Sequence, residues 1–335
     1  MTDSSRCTLG IRRDALKMKT PFRISGHVFD TISALHVSLE RQGRIGRGEG
    51  AGVYYLGDTQ DKLVERVEQV RGEVEAGVPR DALRRLLPPG GARNALDAAL
   101  WELESFEQGR PAWALAGLAR CEPVQTTLTL GADDPGRMSD TALSLGAAKA
   151  LKLKLTGEAA LDVERLSAVR RARPDAWISV DANQGYTPDT IAPLLAALVA
   201  CDVKLVEQPF ARGREQDMRA VKFPIRTAAD ESCLDLVELE AVAGLFDVVN
   251  IKLDKCGGLT EGLLMCRRAR ELGLGVMVGN MGGSSLAMAP AFVLGQLCDV
   301  VDLDGPTILA EDCSPAVRYA GGLISCPPEL WGGAA

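Results

Sequence analysis

The sequence predicts an α/β barrel behind an N-terminal α+β capping domain. Three observations carry this prediction: eight short apolar segments recur every ~20–28 residues between 124 and 305, amphipathic stretches fill the gaps, and the first 120 residues follow a different pattern. The eight segments are VQTTLTL (124–130), ALKLKL (150–155), WISVDA (177–182), VKLVEQ (203–208), IRTAAD (225–230), VVNIKL (248–253), GVMVGN (275–280) and VVDLDG (300–305). Each gap has room for one crossover helix, and right-handed βα repeats of that number close into a (β/α)8-type barrel. An open doubly wound sheet is the competing shape, disfavoured because no GxGxxG turn follows a first strand.

In the cap, β-like runs at Ile32–Leu39 and Gly52–Leu56 flank a Gly-rich stretch, Gly43–Gly52, which reads as a flexible loop. From Gln60 to about Gly117 the period becomes helical, with Leu63, Val64, Val67, Val70 and Val74 on one face and ARNALDAALWELESF repeating the theme. The expected division is a cap over 1–120, a barrel over 121–310, and a C-terminal segment, 311–335, packing back on the cap.

Composition narrows the chemistry. The chain has 335 residues, 46% hydrophobic and 25% charged, with a net charge of −7, so it offers no basic footprint for nucleic acid. MTDSSRCTLGIRRD lacks the apolar stretch of a signal peptide, and no run of 18 apolar residues occurs, which predicts a cytoplasmic protein with no membrane partner. Only two histidines, His27 and His36, are present, leaving almost nothing from which to build a Ser-His-Asp triad or a His-based zinc site. The nine cysteines are scattered and never spaced CxxC, as expected of reduced thiols filling a core.

Charge gathers instead where the strands end, the place where barrels keep their active sites. Lys152 and Lys154 end the second strand, Asp181 and Asn183 the third, Glu207 the fourth, Asp230 and Glu231 the fifth, Lys252 the sixth with Asp254 and Lys255 just beyond, and Asp302 and Asp304 the eighth. Residues i and i+2 share a strand face, so each of the pairs Lys152/Lys154 and Asp302/Asp304 points the same way. Inward carboxylates at Asp181, Glu207 and Asp230, one βα unit apart, are too costly to bury without a shared cation. An all-oxygen set favours Mg2+ or Mn2+ over zinc. Lys154 and Lys252 flank that position and, buried beside a cation, are expected to have lowered pKa values suited to a base.

With these residues in place the chain resembles the enolase superfamily. The motifs TPFRIS, ARNALDAALWEL, KLK, VDANQGYTP, VEQP, ADES, NIKLDKCGGLTEG and DLDGPTILAED follow one another across nearly its whole length. Within the superfamily it is similar to the muconate-lactonising subgroup, and most of all to dipeptide epimerases of the Ala-Glu type. The resemblance implies a modified (β/α)7β TIM-type barrel with an N-terminal α+β capping domain. It implies Mg2+ (Mn2+ the alternative) on Asp181, Glu207 and Asp230, with Lys154 and Lys252 as the acid/base pair and Lys152 stabilising an enolate. Asp302 and Asp304 match the DxD that receives a dipeptide's α-ammonium group, and two carboxylates without a metal suit a cationic substrate end. Thr127, Arg23, His27, Met281 and Gly282 complete the expected substrate-binding set. The partner is then a small dipeptide, inverted at its C-terminal residue, and self-association into a homo-oligomer stays open.

Two departures concern the side chain of that dipeptide. Family members acting on Ala-Glu carry an Arg a few residues after TPF, whereas here Arg23 follows at once and Gly26 and His27 occupy the expected region. His27 reads either as an anion binder when protonated or as an ordinary loop histidine. Second, Gly282, Gly283, Ser284 and Ser285 are small and predict space for a larger or uncharged group. Tyr54 and Tyr55 read as closing over the substrate or as core packing. Competing functions are cycloisomerisation or o-succinylbenzoate synthesis on the same barrel, a binding barrel without turnover, and a nicotinamide enzyme.

Overall fold

The computed structural model describes residues 6–24 and 26–333, so the expected cap, the TPFRIS motif and the C-terminal segment each extend to residues outside it (1–5, Ser25, 334–335). Strands β1 (Thr8–Ile24), β2 (His27–Arg41) and β3 (Arg44–Ala51) form an antiparallel sheet in that order. Helices α1 (Gln60–Gln69), α2 (Arg71–Glu75), α3 (Arg80–Leu86) and α4 (Gly91–Gln108) follow. Thr59 caps α1 by accepting from Lys62 N, and Leu63, Val67, Val70 and Val74 bury against Leu35, Val37 and Leu39 of β2, as the helical period predicts.

The Gly-rich stretch is not a loop but β3, and the expected strand at Gly52–Leu56 contains instead a 3-10 turn over Tyr54–Leu56. The reason lies in α4. Gly46, Gly48 and Gly50 alternate on one face of β3, and a Cβ at any of them would collide with the backbone carbonyls of Ala99, Ala95 and Gly91 respectively. Glycine here permits a strand and a helix to meet backbone to backbone. Gly48→Val is therefore expected to cost at least ~3 kcal/mol, measured as a lowered urea midpoint, because a carbonyl in a helix cannot move aside as a side chain can.

The barrel is a parallel sheet in sequence order: β5 (Thr127–Leu130), β6 (Ala150–Lys154), β7 (Trp177–Asp181), β8 (Val203–Glu207), β9 (Arg226–Ala229), β10 (Val248–Lys252), β11 (Gly275–Gly279) and β12 (Val300–Val301). The segment expected as one strand over 124–130 is divided. Its start, β4 (Val124–Gln125), pairs with the C-terminal hairpin of β13 (Arg318–Ala320) and β14 (Leu323–Ser325). Thr126 Oγ1 accepts from Leu303 N at 3.0 Å and Thr127 Oγ1 donates to Asp302 Oδ1 at 2.5 Å, so two threonines link the barrel's first and last strands.

Seven crossovers link the eight barrel strands and, among the described residues, no α-helix follows β12, so the connectivity is (β/α)7β with one crossover lacking its helix. The expectation of one helix per gap fails between β8 and β9, where a 3-10 turn, Glu215–Ala220, buries only Met218 and so has no apolar stripe with which to dock a helix. Strand periodicity sorts the rest: Leu205, Ala228, Val248 and Met277 form a small cluster of their own, while Val206, Ala229, Val249 and Val278, the neighbours of opposite parity, belong to the main core.

The C-terminal segment reaches the cap. Trp331 Nε1 donates to Arg47 O (3.1 Å) and Ala98 O (3.2 Å), and Gly332 O accepts from Ala112 N. All nine cysteines are free thiols, and no helix of the described residues is long and apolar enough to cross a membrane.

Candidate active site

Register brings the charged strand ends side by side. Lys154 pairs with Asp181 and Asp181 with Glu207 across β6, β7 and β8, while Asp230 follows the last residue of β9 and Lys252 ends β10. All five are buried. One carboxylate oxygen from each of Asp181, Glu207 and Asp230 lies within 4.8 Å of the others, the arrangement expected from their spacing. Burial would raise Asp181, but Lys154 and Lys152 hold it down at about 2. Burial and the neighbouring Asp181 push Glu207 up to about 7, so the third carboxylate ionises only reluctantly beside the others. A buried, all-oxygen triad whose members repel one another fits a hard divalent cation.

The lysines stand around this triad. Lys154 Nζ is 2.6 Å from Asp181 Oδ2, and Lys252 Nζ is 2.7 Å from Asp230 Oδ2. Lys152 Nζ lies between Glu207 Oε2 (2.7 Å), Asp302 Oδ2 (2.8 Å) and Asp181 Oδ2 (3.3 Å). The lowering of pKa expected of Lys252 is reversed, and Lys152 behaves in the same way. Burial lowers Lys252, but Asp230 and Glu207 outweigh it; burial lowers Lys152, but Asp302, Glu207 and Asp181 outweigh it, and both end above the ordinary value. The expectation weighed the cation and the neighbouring lysine but not the carboxylates that gather them.

Above the triad is a cavity of about 400 Å3 between barrel and cap, within the size range of small-molecule sites. Lys152, Lys154, Lys252, Asp230, Glu231, Asp302 and Asp304 line its barrel side, with Tyr54 and Tyr55 on the cap side. Asp302 and Asp304 lie beyond β12 rather than within it, yet both face the cavity. Burial raises Asp302, but Lys152 and Thr127 hold it below its usual range, whereas burial and Asp302 push Asp304 up to about 6. Asp304 Oδ2 also accepts from Thr129 N at 2.6 Å.

Of the remaining expected substrate residues, Met281 and Gly282 line the cavity and three do not. Thr127 sits behind Asp302 as its hydrogen-bond donor. Arg23 is exposed, because Phe22 and Ile24 on either side of it face the cavity and strand alternation turns it the other way. His27 opens β2, exposed, with its ring edge-on to Tyr54 at 4.7 Å. Of the stretch from Gly282 to Ser285 where open space was expected, Gly282 lines the cavity and the other three do not. A Cβ on Gly282 would meet Ile32 Cδ1, Ser284 donates through N and Oγ to buried Glu49, and Ser285 Oγ donates to Asp312 Oδ2 at 2.5 Å. Burial pushes Glu49 up to about 7.

Three residues without a role in the sequence reading belong here. Lys255 Nζ is 2.6 Å from Asp230 Oδ1 and also donates to Asn250 O, fixing one carboxylate of the triad from behind. Asn250 Nδ2 donates to Glu207 Oε1 at 2.8 Å, and its signal was its place two residues before Lys252. Glu231 lines the cavity, buried, with Oε2 lacking a hydrogen-bond partner.

Comparison with known proteins agrees with this geometry. The family model described as "Enolase C-terminal domain-like" matches residues 137–328. L-Ala-D/L-Glu epimerase of Escherichia coli (strain K12) is 35% identical over 317 residues, 94% of this chain and 98% of that protein. An enolase family member from Agrobacterium tumefaciens, with homology to dipeptide epimerases and with sodium and L-Ala-L-Glu bound, superimposes with a TM-score of 0.94 at 35% identity, covering 98% of this chain and all (100%) of the other. Dipeptide epimerase from Enterococcus faecalis V583, complexed with Mg and L-Leu-L-Tyr, gives 0.90 at 25% identity over 98% of both chains.

Proposed function

The chain belongs to the enolase C-terminal domain-like family, and from that premise we propose that it is a dipeptide epimerase, an isomerase that inverts the α-carbon of a dipeptide's C-terminal residue. The observation that carries the proposal is the joint placement, around one cavity, of a carboxylate triad, a lysine on either side of it, and the Asp302/Asp304 pair. Asp181, Glu207 and Asp230 would hold Mg2+, with Mn2+ as its oxygen-seeking substitute. The metal, when bound, supplies positive charge that acidifies the α-C–H of a substrate carboxylate.

The side chains divide the remaining work. Asp302 and Asp304 take the α-ammonium group through charge-assisted hydrogen bonds, and this fixes the direction in which the dipeptide lies. Lys154 and Lys252, held by Asp181 and Asp230, reach the α-carbon from opposite faces, so one removes the proton while the other donates one. Lys152, an ammonium held by three carboxylates, faces the charge that develops on the carboxylate as the proton leaves. The cap's Tyr54 and Tyr55 line the cavity opposite the lysines. A cycloisomerase or synthase reading is disfavoured by Asp302 and Asp304, which repel substrates lacking an amine.

Incubation of a library of L,L-dipeptides with the enzyme and Mg2+ in D2O is expected to add one mass unit at the C-terminal residue of a defined subset, read by mass spectrometry. Silence across the library with Mg2+ bound would sink the epimerase reading, and loss of water from an amine-free hydroxy acid tested alongside would point to the synthase chemistry instead.

A further inference from the structure

We propose that the C-terminal side chain this enzyme accepts is apolar, an aliphatic or aromatic group rather than a carboxylate or an amine. The proposal rests on the epimerase reading, which places the substrate carboxylate at the triad, the ammonium group at Asp302 and Asp304, and the α-carbon between Lys154 and Lys252. The side chain then has the cap as its wall.

The hairpin of β1 and β2 presents Phe22, Ile24, Phe29 and Ile32 to that wall, with Met281 and Ile308 from the barrel loops, and the polar residues that also line the cap side, Thr31, Ser33, Asp58, Thr59 and Gln60, carry no positive charge. Phe22 and Phe29 are direct partners across the hairpin, so their rings face the cavity together. Their neighbours Arg23 and Val28 form the next pair, on the outer face, where both are exposed. Arg23, the cation between the lining residues Phe22 and Ile24, is thus turned out of the cavity by strand alternation, and Lys19, earlier on β1, donates to Thr307 O instead. Among the described residues that line the cavity, the cations are Lys152, Lys154 and Lys252, each within 2.8 Å of a carboxylate oxygen. An incoming carboxylate finds no unpaired cation to meet.

Glu231 strengthens the discrimination. It is 1% exposed, lines the same cavity and has an oxygen without a hydrogen-bond partner, so an acidic side chain would be buried beside a like group. Ile32, lying where a side chain on Gly282 would be, bounds the space on its far side. The site thus favours side chains that gain by leaving water and rejects carboxylates, which lose hydration without gaining a partner, whereas an amine has the single unpartnered oxygen of Glu231 to meet.

The test compares kcat/KM for L-Ala-L-Leu, L-Ala-L-Phe, L-Ala-L-Glu and L-Ala-L-Lys with the intact Mg2+-loaded enzyme, following α-proton exchange in D2O by NMR. Leu and Phe are expected to exceed Glu and Lys by at least ~100-fold. Ile24→Arg, which puts a guanidinium into the wall, is expected to shift the Leu-to-Glu ratio at least ~10-fold toward Glu, while Arg23→Ala leaves the ratio unchanged. L-Ala-L-Glu as the best substrate would overturn the proposal and leave the epimerase reading standing. L-Ala-L-Lys as the best would assign selectivity to Glu231 and equally overturn it. No exchange with any dipeptide, metal bound, would overturn both. The wild-type panel decides even if Ile24→Arg fails to fold.

Discussion

With Lys252 replaced by methionine, epimerisation in both directions is expected to fall by ~10²–10⁴-fold, while exchange of the α-proton with solvent survives for one stereoisomer only. Inversion needs a proton removed from one face and another delivered to the opposite face, so either lysine alone can perform half of it. Lys154→Met should give the mirror image, with exchange surviving for the other stereoisomer. The separation is built into the barrel, since Lys154 ends β6 and pairs with Asp181, whereas Lys252 ends β10 and pairs with Asp230. Neither variant strips its partner bare: Asp230 keeps Lys255 at 2.6 Å, and Asp181 keeps Lys152 at 3.3 Å and Asn183 N at 2.9 Å. The loss is therefore one of chemistry and not of folding. Incubating the L,L and L,D forms with each variant in D2O and following the α-proton by NMR separates the outcomes. Near-normal inversion by both variants would refute the two-base mechanism.

The residues legible in the sequence were those whose position follows from periodicity alone. Asp181, Glu207 and Asp230 fall one βα unit apart at strand ends, and that spacing alone brings them to one level of the barrel, where their oxygens lie within 4.8 Å. What escaped was decided by partners distant in sequence. A run of alternating glycines looks like a loop until α4 lies against it. The space at Gly282 looked open because Ile32, which fills it, arrives from the cap. Arg23 was placed near the substrate by its nearness to the TPF motif, but the register of a hairpin, Phe22 opposite Phe29, turns it outward. The direction of the lysine shifts depended on summing several charges at once, which no spacing encodes. In the crossover from β8 to β9 the gap length allowed a helix, but its polar run gives a helix nothing to bury.

Glu207→Gln is expected to weaken Mg2+ binding by more than ~100-fold and to abolish turnover at ordinary Mg2+ concentrations, with the fold intact. The choice of this ligand follows from what each carboxylate supports. Asp230 is paired with two buried lysines, Lys252 and Lys255, and neutralising it would leave two ammonium groups short of an anion, which confuses metal loss with destabilisation. Glu207 shares its lysine, since Lys152 also has Asp302 at 2.8 Å and Asp181 at 3.3 Å. Asn250 Nδ2 donates to Oε1, the atom that stays an oxygen in glutamine, so that bond survives, while Oε2, 2.7 Å from Lys152 Nζ, becomes an NH2 donor and Lys152 falls back on Asp302 and Asp181. Burial already pushes the Glu207 carboxyl up to about 7, so a neutral amide in its place relieves crowding among three acids. Without metal, relief of acid crowding offsets the lost contact with Lys152, and the variant should melt within a few degrees of the wild type. With metal, the wild type gains stability as Mg2+ is raised, because a ligand that binds only the folded state adds RT ln(1 + [L]/Kd), and the variant gains almost nothing. Thermal unfolding across a Mg2+ series, with and without chelator, measures both effects in one experiment. A Mg2+-dependent gain in Tm equal to that of the wild type would remove Glu207 from the metal site.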